Sequence, residues 1–330
     1  MFKKFNSIEN TYRKEHINRI QLEGHWTGEY VVQEKVHGAN MSFYTTDGVD
    51  FVACKRSGPI EAGENFYHHE RILAANLKSL RIIWKRLKAG MPGLDQMTVF
   101  GEVFGGAYPH DDVPRVKDAM KVQKGVCYSP DNLFYAFDVT ANGQYLGVDT
   151  ANACFEAAGM FYAKTLFRGP AAEALAYPND FNSTLPGELG LPDIGENVVE
   201  GTVIRPVEVK YLASGSRVIL KNKNAKWAEK KQRKASAKPA EPLAPELQIL
   251  VDLALEYVNE NRLENVLSKI GAVTIKDFGR VLGLFNKDVY ADFNKENADR
   301  LAGVDKADLK RINKGFGREA ANLVRVRLLQ

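Results

Sequence analysis

The feature that most limits what this chain can fold into is a change of pattern near residue 240. The stretch "AKPAEPLAPE" (237–246) places three prolines in ten residues. Proline fixes its own backbone angle and removes a hydrogen-bond donor, so such a run reads as a connection rather than an element. Before it lie short apolar runs broken by Gly, Asn and Asp, the pattern of strands and hairpins. After it, apolar residues recur at helical spacing. The 330 residues therefore divide into a strand-rich domain over 1–235, a linker over 236–246 and a helical domain over 247–330.

Within the first part, "EYVVQE" (29–34) and "ANMSFYTT" (39–46) read as strands. "DG" at 47–48 is a hairpin turn into "VDFVACK" (49–55). A helix is expected over 66–88. Further strands are expected at 97–104, 133–139, 144–148, 198–206 and 216–224. Short connections between them predict antiparallel sheets, because parallel strands need long crossovers. The second part predicts helices over 246–258, 260–270, 274–285, 287–300 and 305–329. The fold class is thus α+β, followed by a small all-α domain.

Charge narrows the choice of partner. Residues 221–238 carry eight basic residues against one acidic, which leaves 37 basic and 40 acidic elsewhere. A polyanion-binding feature is concentrated there, with Lys230 and Lys231 at its centre and Arg233 and Lys234 beside them. A solvated charge run is the alternative for this segment. No stretch of about 18 apolar residues exists, so no membrane partner is expected. The N-terminus lacks a signal-peptide pattern. Cys54, Cys127 and Cys154 are scattered with no C-x-x-C pair, which argues against a disulfide scaffold or zinc ribbon and for a reduced, cytoplasmic setting.

Chemistry concentrates at strand ends. Lys35 and His37 follow the first strand in "EKVHGAN" (34–40), and Lys55 and Arg56 end the next hairpin in "KRSGPI". Glu102 lies in "FGEVFGG", Asp138 in "FYAFDV", Glu200 opens "EGTVIRP", and Lys221 and Lys223 end "VILKNKN". An unpaired buried charge costs several kcal/mol, so the economical reading is one site in which these groups face each other and a ligand. The common Gly-rich phosphate cradles G-x-x-x-x-G-K-[ST] and G-x-G-x-x-G are absent, so side chains must hold any phosphate. Cations with a carboxylate-held Mg²⁺ suit a triphosphate, and an aromatic such as Phe137 suits a base. A lysine among other cations loses its proton more readily and becomes a nucleophile. That is the reading for Lys35. Taken singly, His37 reads as a structural histidine, Phe137 as core and the K-x-K pair as surface.

Taken in order, "MFKKFNSIENTY", "EKVHGAN", "KRSGPI", "FGEVFGG", "FYAFDV", "EGTVIRP", "LKNKNAKWAEKK", "NRLENVLSKIG" and "IKDFGRVLGL" resemble the covalent nucleotidyltransferases. More narrowly, they resemble the phage RNA ligase 2 type, with the kinetoplastid RNA-editing ligases, along nearly the whole chain. The resemblance implies an ATP-dependent RNA ligase that seals 3′-OH/5′-phosphate ends, best at nicks in duplex RNA, using ATP and Mg²⁺ or Mn²⁺. It implies Lys35 as the residue that takes AMP, Glu34 contacting adenine through its main chain, and His37 near the leaving pyrophosphate. Asn40 joins the nucleotide site. Arg56 would contact ribose and RNA phosphate, Glu102 ribose and metal, Glu200 the metal, Phe137 the adenine face, and Lys221 and Lys223 the α-phosphate. In the helical domain, Arg262 and Asp288 match positions that matter for RNA joining. Ala39 and Gln33 depart from the family's common threonine and arginine. A monomer is implied, in the host cytoplasm if the chain is a phage's. A capping guanylyltransferase or a DNA ligase would carry an OB-fold after the last lysines, where helices are expected here. A non-catalytic RNA-binding protein would not need Lys35, Glu102 and Glu200 together.

Overall fold

A computed structural model describes residues 2–227 and 244–329. Lys230, Lys231, Arg233 and Lys234, with most of the Pro-rich stretch, lie outside the described residues. The chain divides into two compact units, Met1–Lys226 and Trp227–Gln330.

The first unit is built on two sheets. Its strands are β1 (Glu9–Asn10), β2 (Glu29–Glu34), β3 (Ala39–Thr45), β4 (Val52–Lys55), β5 (Gly58–Pro59), β6 (Met97–Ala107), β7 (Ser129–Ala141), β8 (Gln144–Tyr145), β9 (Thr165–Pro170), β10 (Gly201–Pro206) and β11 (Leu220–Lys223). One sheet runs β1-β11-β10-β2-β9 and the other β5-β4-β3-β6-β7-β8. Pairings are antiparallel except that of β1 with β11. Helices α1 (Lys14–Leu22), α2 (His69–Gly90), α3 (Val148–Ala157), α4 (Ala171–Ala176) and α5 (Leu185–Glu188) flank them. The longest, α2, buries Ile72, Leu80, Ile83, Trp84 and Leu87, an apolar stripe at helical spacing. That stripe joins a core with Met41, Phe43 and Val99 from one face of the second sheet. Between the sheets, Phe5, Phe100 and Ile219 pack with Phe137, Tyr145 and Val203.

The second unit contains α6 (Pro245–Leu255), α7 (Glu260–Ser268), α8 (Phe278–Glu296), α9 (Ala298–Leu301) and α10 (Lys306–Leu328). Its core includes Leu250, Ala254, Leu263, Val281, Phe285, Val289, Phe293, Phe316 and Val324. None of the described helices is long and apolar enough to cross a membrane.

Several expected elements differ. The strand expected over 49–55 begins only at Val52, because Asp47 Oδ1 accepts from the Val49 and Asp50 N–H groups and holds those residues in the turn. The strand expected over 144–148 stops at Tyr145. Val148 instead opens α3, and its N–H donates to the Val207 carbonyl. The helices expected over 274–285 and 287–300 are largely one helix, α8. Val281, Phe285, Val289 and Phe293 form an unbroken i, i+4 stripe with no Pro between them, and its burial carries the helix through Gly283. Two residues of the expected linker, 245 and 246, belong to the first turn of α6.

Candidate functional site

The site lies where β2 ends, opposite β10. Register pairs Gln33 with Val203 and Thr202 with Glu34, which sets the residues after Glu34 beside those before Gly201. The Lys35 N–H donates to the Gly201 carbonyl at 2.9 Å. Lys35 Nζ then meets Glu200 Oε2 at 2.6 Å, and His37 Nδ1 lies 3.4 Å from the same oxygen. Register pairs Gly201 with Lys223, and Lys223 Nζ reaches Glu200 Oε1 at 2.7 Å. Three nitrogen groups from two distant stretches of chain converge on one carboxylate. Glu200 is 1% exposed, while Lys35 keeps 19% of its side-chain surface.

Two glycines make this geometry possible. A Cβ at Gly38 would stand 2.2 Å from the Val103 carbonyl and 2.7 Å from Glu102 Cγ, so only glycine lets the turn lie against β6. Gly201 has φ +148, and a Cβ there would stand 2.1 Å from the Asn222 carbonyl. The glycine behind Lys35 is therefore required by close approach.

The two carboxylates of the cluster are tuned in opposite directions. Burial opposes charge on Glu200, but Lys223, Lys35 and His37 outweigh it and hold its carboxyl well below the usual range. Glu102 is also pushed up by burial. Lys35 and Arg56 pull it down, the Glu200 charge pushes it further up, and the result is about 7. The Gly38 N–H donates to Glu102. Asn40 is the register partner of Glu102 across β3 and β6, and its Nδ2 donates to the Gly101 carbonyl at 3.4 Å.

The remaining candidates fall into groups. Phe137 packs edge-on against Phe5, with centroids 5.0 Å apart, and shares its cluster with Val203. Val203 is in register with Lys221, which brings that lysine's strand to the same cluster. Glu34 points away from the cluster. Ser183 Oγ donates to its Oε1 at 2.6 Å, and the Thr184 N–H and Oγ1 donate to its Oε2 at 2.9 and 3.0 Å. Burial raises its carboxyl despite those donors. This leaves its main chain, not its side chain, on the Lys35 side. Gln33 Nε2 donates to the Ala163 carbonyl at 2.7 Å.

Two strand-end charges do not join the site. Asp138 is fully buried, where Oδ2 accepts from Arg205 Nη1 at 2.8 Å and from Arg217 Nη1. It links β7 of one sheet to β10 of the other. Lys55 pairs with Glu64. Lys35 was expected to sit among cations, and its closest charge is instead a carboxylate. In the second unit, Arg262 is 1% exposed. Its Nη1 donates to Asp288 Oδ2 at 2.7 Å and its Nη2 to Asp292 Oδ2 at 2.9 Å. Arg262, expected with Asp288 to matter for RNA joining, thus fastens α7 to α8 through Asp288 and Asp292.

Sequence reading passed over Tyr128 and Gln123. The Tyr128 hydroxyl accepts from the His37 N–H at 2.9 Å, and Gln123 Nε2 donates to the Gly38 carbonyl at 3.2 Å. Neither residue lies in a regular element, so no periodicity marks them.

Among the described residues no group of three or more His, Cys, Asp or Glu side chains converges as a metal site. Glu102 and Glu200 are the carboxylates available. Two carboxylates fit a Mg²⁺ or Mn²⁺ ion that takes its other ligands from nucleotide phosphates and water.

A family model described as RNA ligase matches residues 28–223, and one described as T4 RNA ligase 2 C-terminal matches residues 244–322. RNA-editing ligase 2, mitochondrial, of Trypanosoma brucei brucei is 27% identical over 357 aligned positions, covering 92% of this chain and 86% of that protein. RNA-editing ligase 1, mitochondrial, of the same organism is 27% identical over 343, covering 85% and 73%. A solved structure, Naegleria gruberi RNA ligase with PPi, matches with a TM-score of 0.42 at 16% identity. This chain spans 57% of its length, with 68% of this chain covered. The first family model spans more than half of the sequence, and the chain belongs to the RNA ligase family, with a C-terminal part of the T4 RNA ligase 2 kind.

Proposed function

We propose that this chain joins RNA 3′-OH and 5′-phosphate ends at nicks in a duplex, in an ATP-dependent reaction that passes through AMP held on Lys35. ATP-dependent RNA joining is the work of its family; the lysyl-AMP intermediate and the nick preference are our reading. The carrying observation is the convergence of Lys35, His37 and Lys223 on Glu200, with Lys35 partly open to solvent.

In the first step, Lys35 Nζ attacks the α-phosphorus of ATP. A P–N bond forms and the bond to pyrophosphate breaks. The ammonium first gives up a proton to solvent, to which part of the Lys35 side chain is open. Glu200 is held so far below the usual range that it orients Nζ rather than acting as a base. His37 stands on the same oxygen and is placed to meet the leaving pyrophosphate. Lys221 and Lys223 grip the α-phosphate, where charge develops in the transition state. Phe137 stacks on adenine, Glu34 reads it through its main chain, and Asn40, Arg56 and Glu102 serve the ribose side. A divalent ion held by Glu200 and Glu102 would neutralise phosphate charge. AMP then passes to the RNA 5′-phosphate. The 3′-hydroxyl attacks that activated phosphate and expels AMP.

RNA is held by Arg56, by the basic segment with Lys230 and Lys231, and by the helical unit, whose α10 exposes Lys306, Lys310, Lys314 and Arg318 at four-residue spacing. Arg262 and Asp288 support this role indirectly, by fixing α7 against α8. The enzyme acts as a monomer in the cytoplasm, and its three free, scattered cysteines fit a reduced setting there.

Incubation with α-labelled ATP and Mg²⁺, then denaturing electrophoresis, tests the reading. Label should stay on the protein, be acid-labile and vanish in Lys35→Ala. Label that survives Lys35→Ala rejects the assignment, and label from GTP alone moves the chain to guanylyl transfer.

A further inference from the structure

The turn 35–38 carries Lys35 and His37, and both side chains must meet one carboxylate oxygen. Its backbone is held from three sides. The Lys35 N–H is bound by the Gly201 carbonyl, the His37 N–H by the Tyr128 hydroxyl and the Gly38 carbonyl by Gln123 Nε2. Tyr128 and Gln123 are buried, at 2% and 6% exposure. Their segment is itself pinned. The Val122 N–H donates to the Gly105 carbonyl at 3.1 Å. The Cys127 N–H donates to Asn197 Oδ1 at 2.9 Å, and Asn197 Nδ2 donates back to the Cys127 carbonyl at 2.7 Å. The Tyr128 ring stands edge-on to Phe104, with centroids 5.5 Å apart.

We propose that Tyr128 and Gln123 are positioning residues that clamp the turn 35–38, so that Lys35 Nζ and His37 Nδ1 stay aligned on Glu200 for bond formation at phosphorus. The inference rests on the lysyl-AMP reading. Neither side chain touches the reacting atoms. Each holds a backbone group of the turn, and Asn197 ties their segment to the loop that leads into Glu200. The physical ground is the steepness of reactivity with placement, in which a shift of about 1 Å can cost on the order of 100-fold. Removing the Tyr128 hydroxyl also takes away the 2.9 Å hydrogen bond that it accepts from the buried His37 N–H, which favours a shifted turn.

The test uses the full chain with Tyr128→Phe and, separately, Gln123→Met. Four quantities are read: the single-turnover rate of AMP loading, affinity for an unreactive α,β-methylene ATP analogue, sealing of a pre-adenylylated RNA nick, and the thermal midpoint. Sealing forms no bond to Lys35, so it reports on the rest of the site. A positioning role slows loading roughly 10-fold or more, while analogue affinity and sealing stay within about twofold. Should Tyr128→Phe fail to fold, Gln123→Met gives the same reading from the other side of the turn. Unchanged loading overturns the inference. So does a parallel fall of loading, analogue binding and sealing, which would mark general damage. Wild-type protein that takes no label on Lys35 overturns the lysyl-AMP reading and this inference with it. Label on the wild type with unaltered variants overturns this inference alone.

Discussion

Glu102 and Glu200 act on each other and titrate in opposite directions, because Glu200 has three nitrogen partners and Glu102 has mainly burial. The consequence for stability is worked out by sign. Glu102 has its carboxyl raised from 4.5 to about 7, so the stability tied to its neutral form is present below pH 4.5 and is lost as pH rises through about 7. Part of its surface reaches solvent, which trims the full linkage value. Glu102→Gln removes the penalty. The variant should gain about 2 kcal/mol over wild type between pH 5 and pH 8 in ligand-free protein. Denaturant unfolding at both pH values reads this directly, and an equal difference at both would place the carboxyl in a solvated setting. Glu200 has the reverse sign. Its stabilising charge is present above pH 4.5 and is lost only on descent to its low folded value. Glu200→Gln should cost about 3 kcal/mol at pH 8, since Lys35 and Lys223 are left facing each other. It should also abolish AMP loading, and a variant as stable as wild type would count against the ion cluster.

The elements are joined by two buried ion groups of different character. Asp138 holds Arg205 and Arg217 where all three are nearly inaccessible, and so ties the two sheets to each other. Asp138→Asn should cost about 3–5 kcal/mol, because two guanidinium groups lose their counter-charge. In the helical unit, Asp288 is 31% exposed and Asp292 also serves Arg262. Asp288→Asn should therefore cost only about 1 kcal/mol. Thermal or denaturant unfolding that ranks Asp288→Asn as the costlier change would refute this ordering. The outer face of α10 makes a different prediction. Lys310, Lys314 and Arg318 are exposed and lie on one stripe. Their joint replacement by Gln should lower the slope of log affinity against log salt for nicked RNA by up to about three, with AMP loading unaltered. A constant slope would remove α10 from the RNA surface.

At the scale of the molecule, each unit has its own apolar core. Every described residue assigned to the nucleotide lies in Met1–Lys226. A chain ended at residue 240 should load AMP on Lys35 at a rate within a few-fold of the full chain and lose most nick sealing. Equal sealing by both forms would deny the helical unit a part in RNA joining. The sequence by itself determined whatever is encoded locally. Alternating and i, i+4 apolar patterns mark β2, β3, α2 and the C-terminal helices, and glycine marks the bend after His37, since only glycine fits where the backbone meets β6. Local pattern also put Lys35, His37, Glu200 and Lys223 at strand ends. It could not say which strand ends face each other. Lys35 and Glu200 are 165 positions apart, and the register of β2 on β10 makes them neighbours. The same charge-at-strand-end rule grouped Asp138 and Lys55 with the site, yet packing of one sheet on the other gave Asp138 to Arg205 and Arg217, and a nearby turn gave Lys55 to Glu64. Nothing local in the sequence shows that Arg262 is buried against Asp288 and Asp292 of α8. Tyr128 and Gln123 lie in an irregular segment with no period at all. Their roles exist only because the chain returns, some ninety residues on, to hydrogen-bond the turn that carries the lysine. Partner choice among buried polar groups is a property of the assembled sheets, where each group must find its counterpart or pay the cost of leaving water alone.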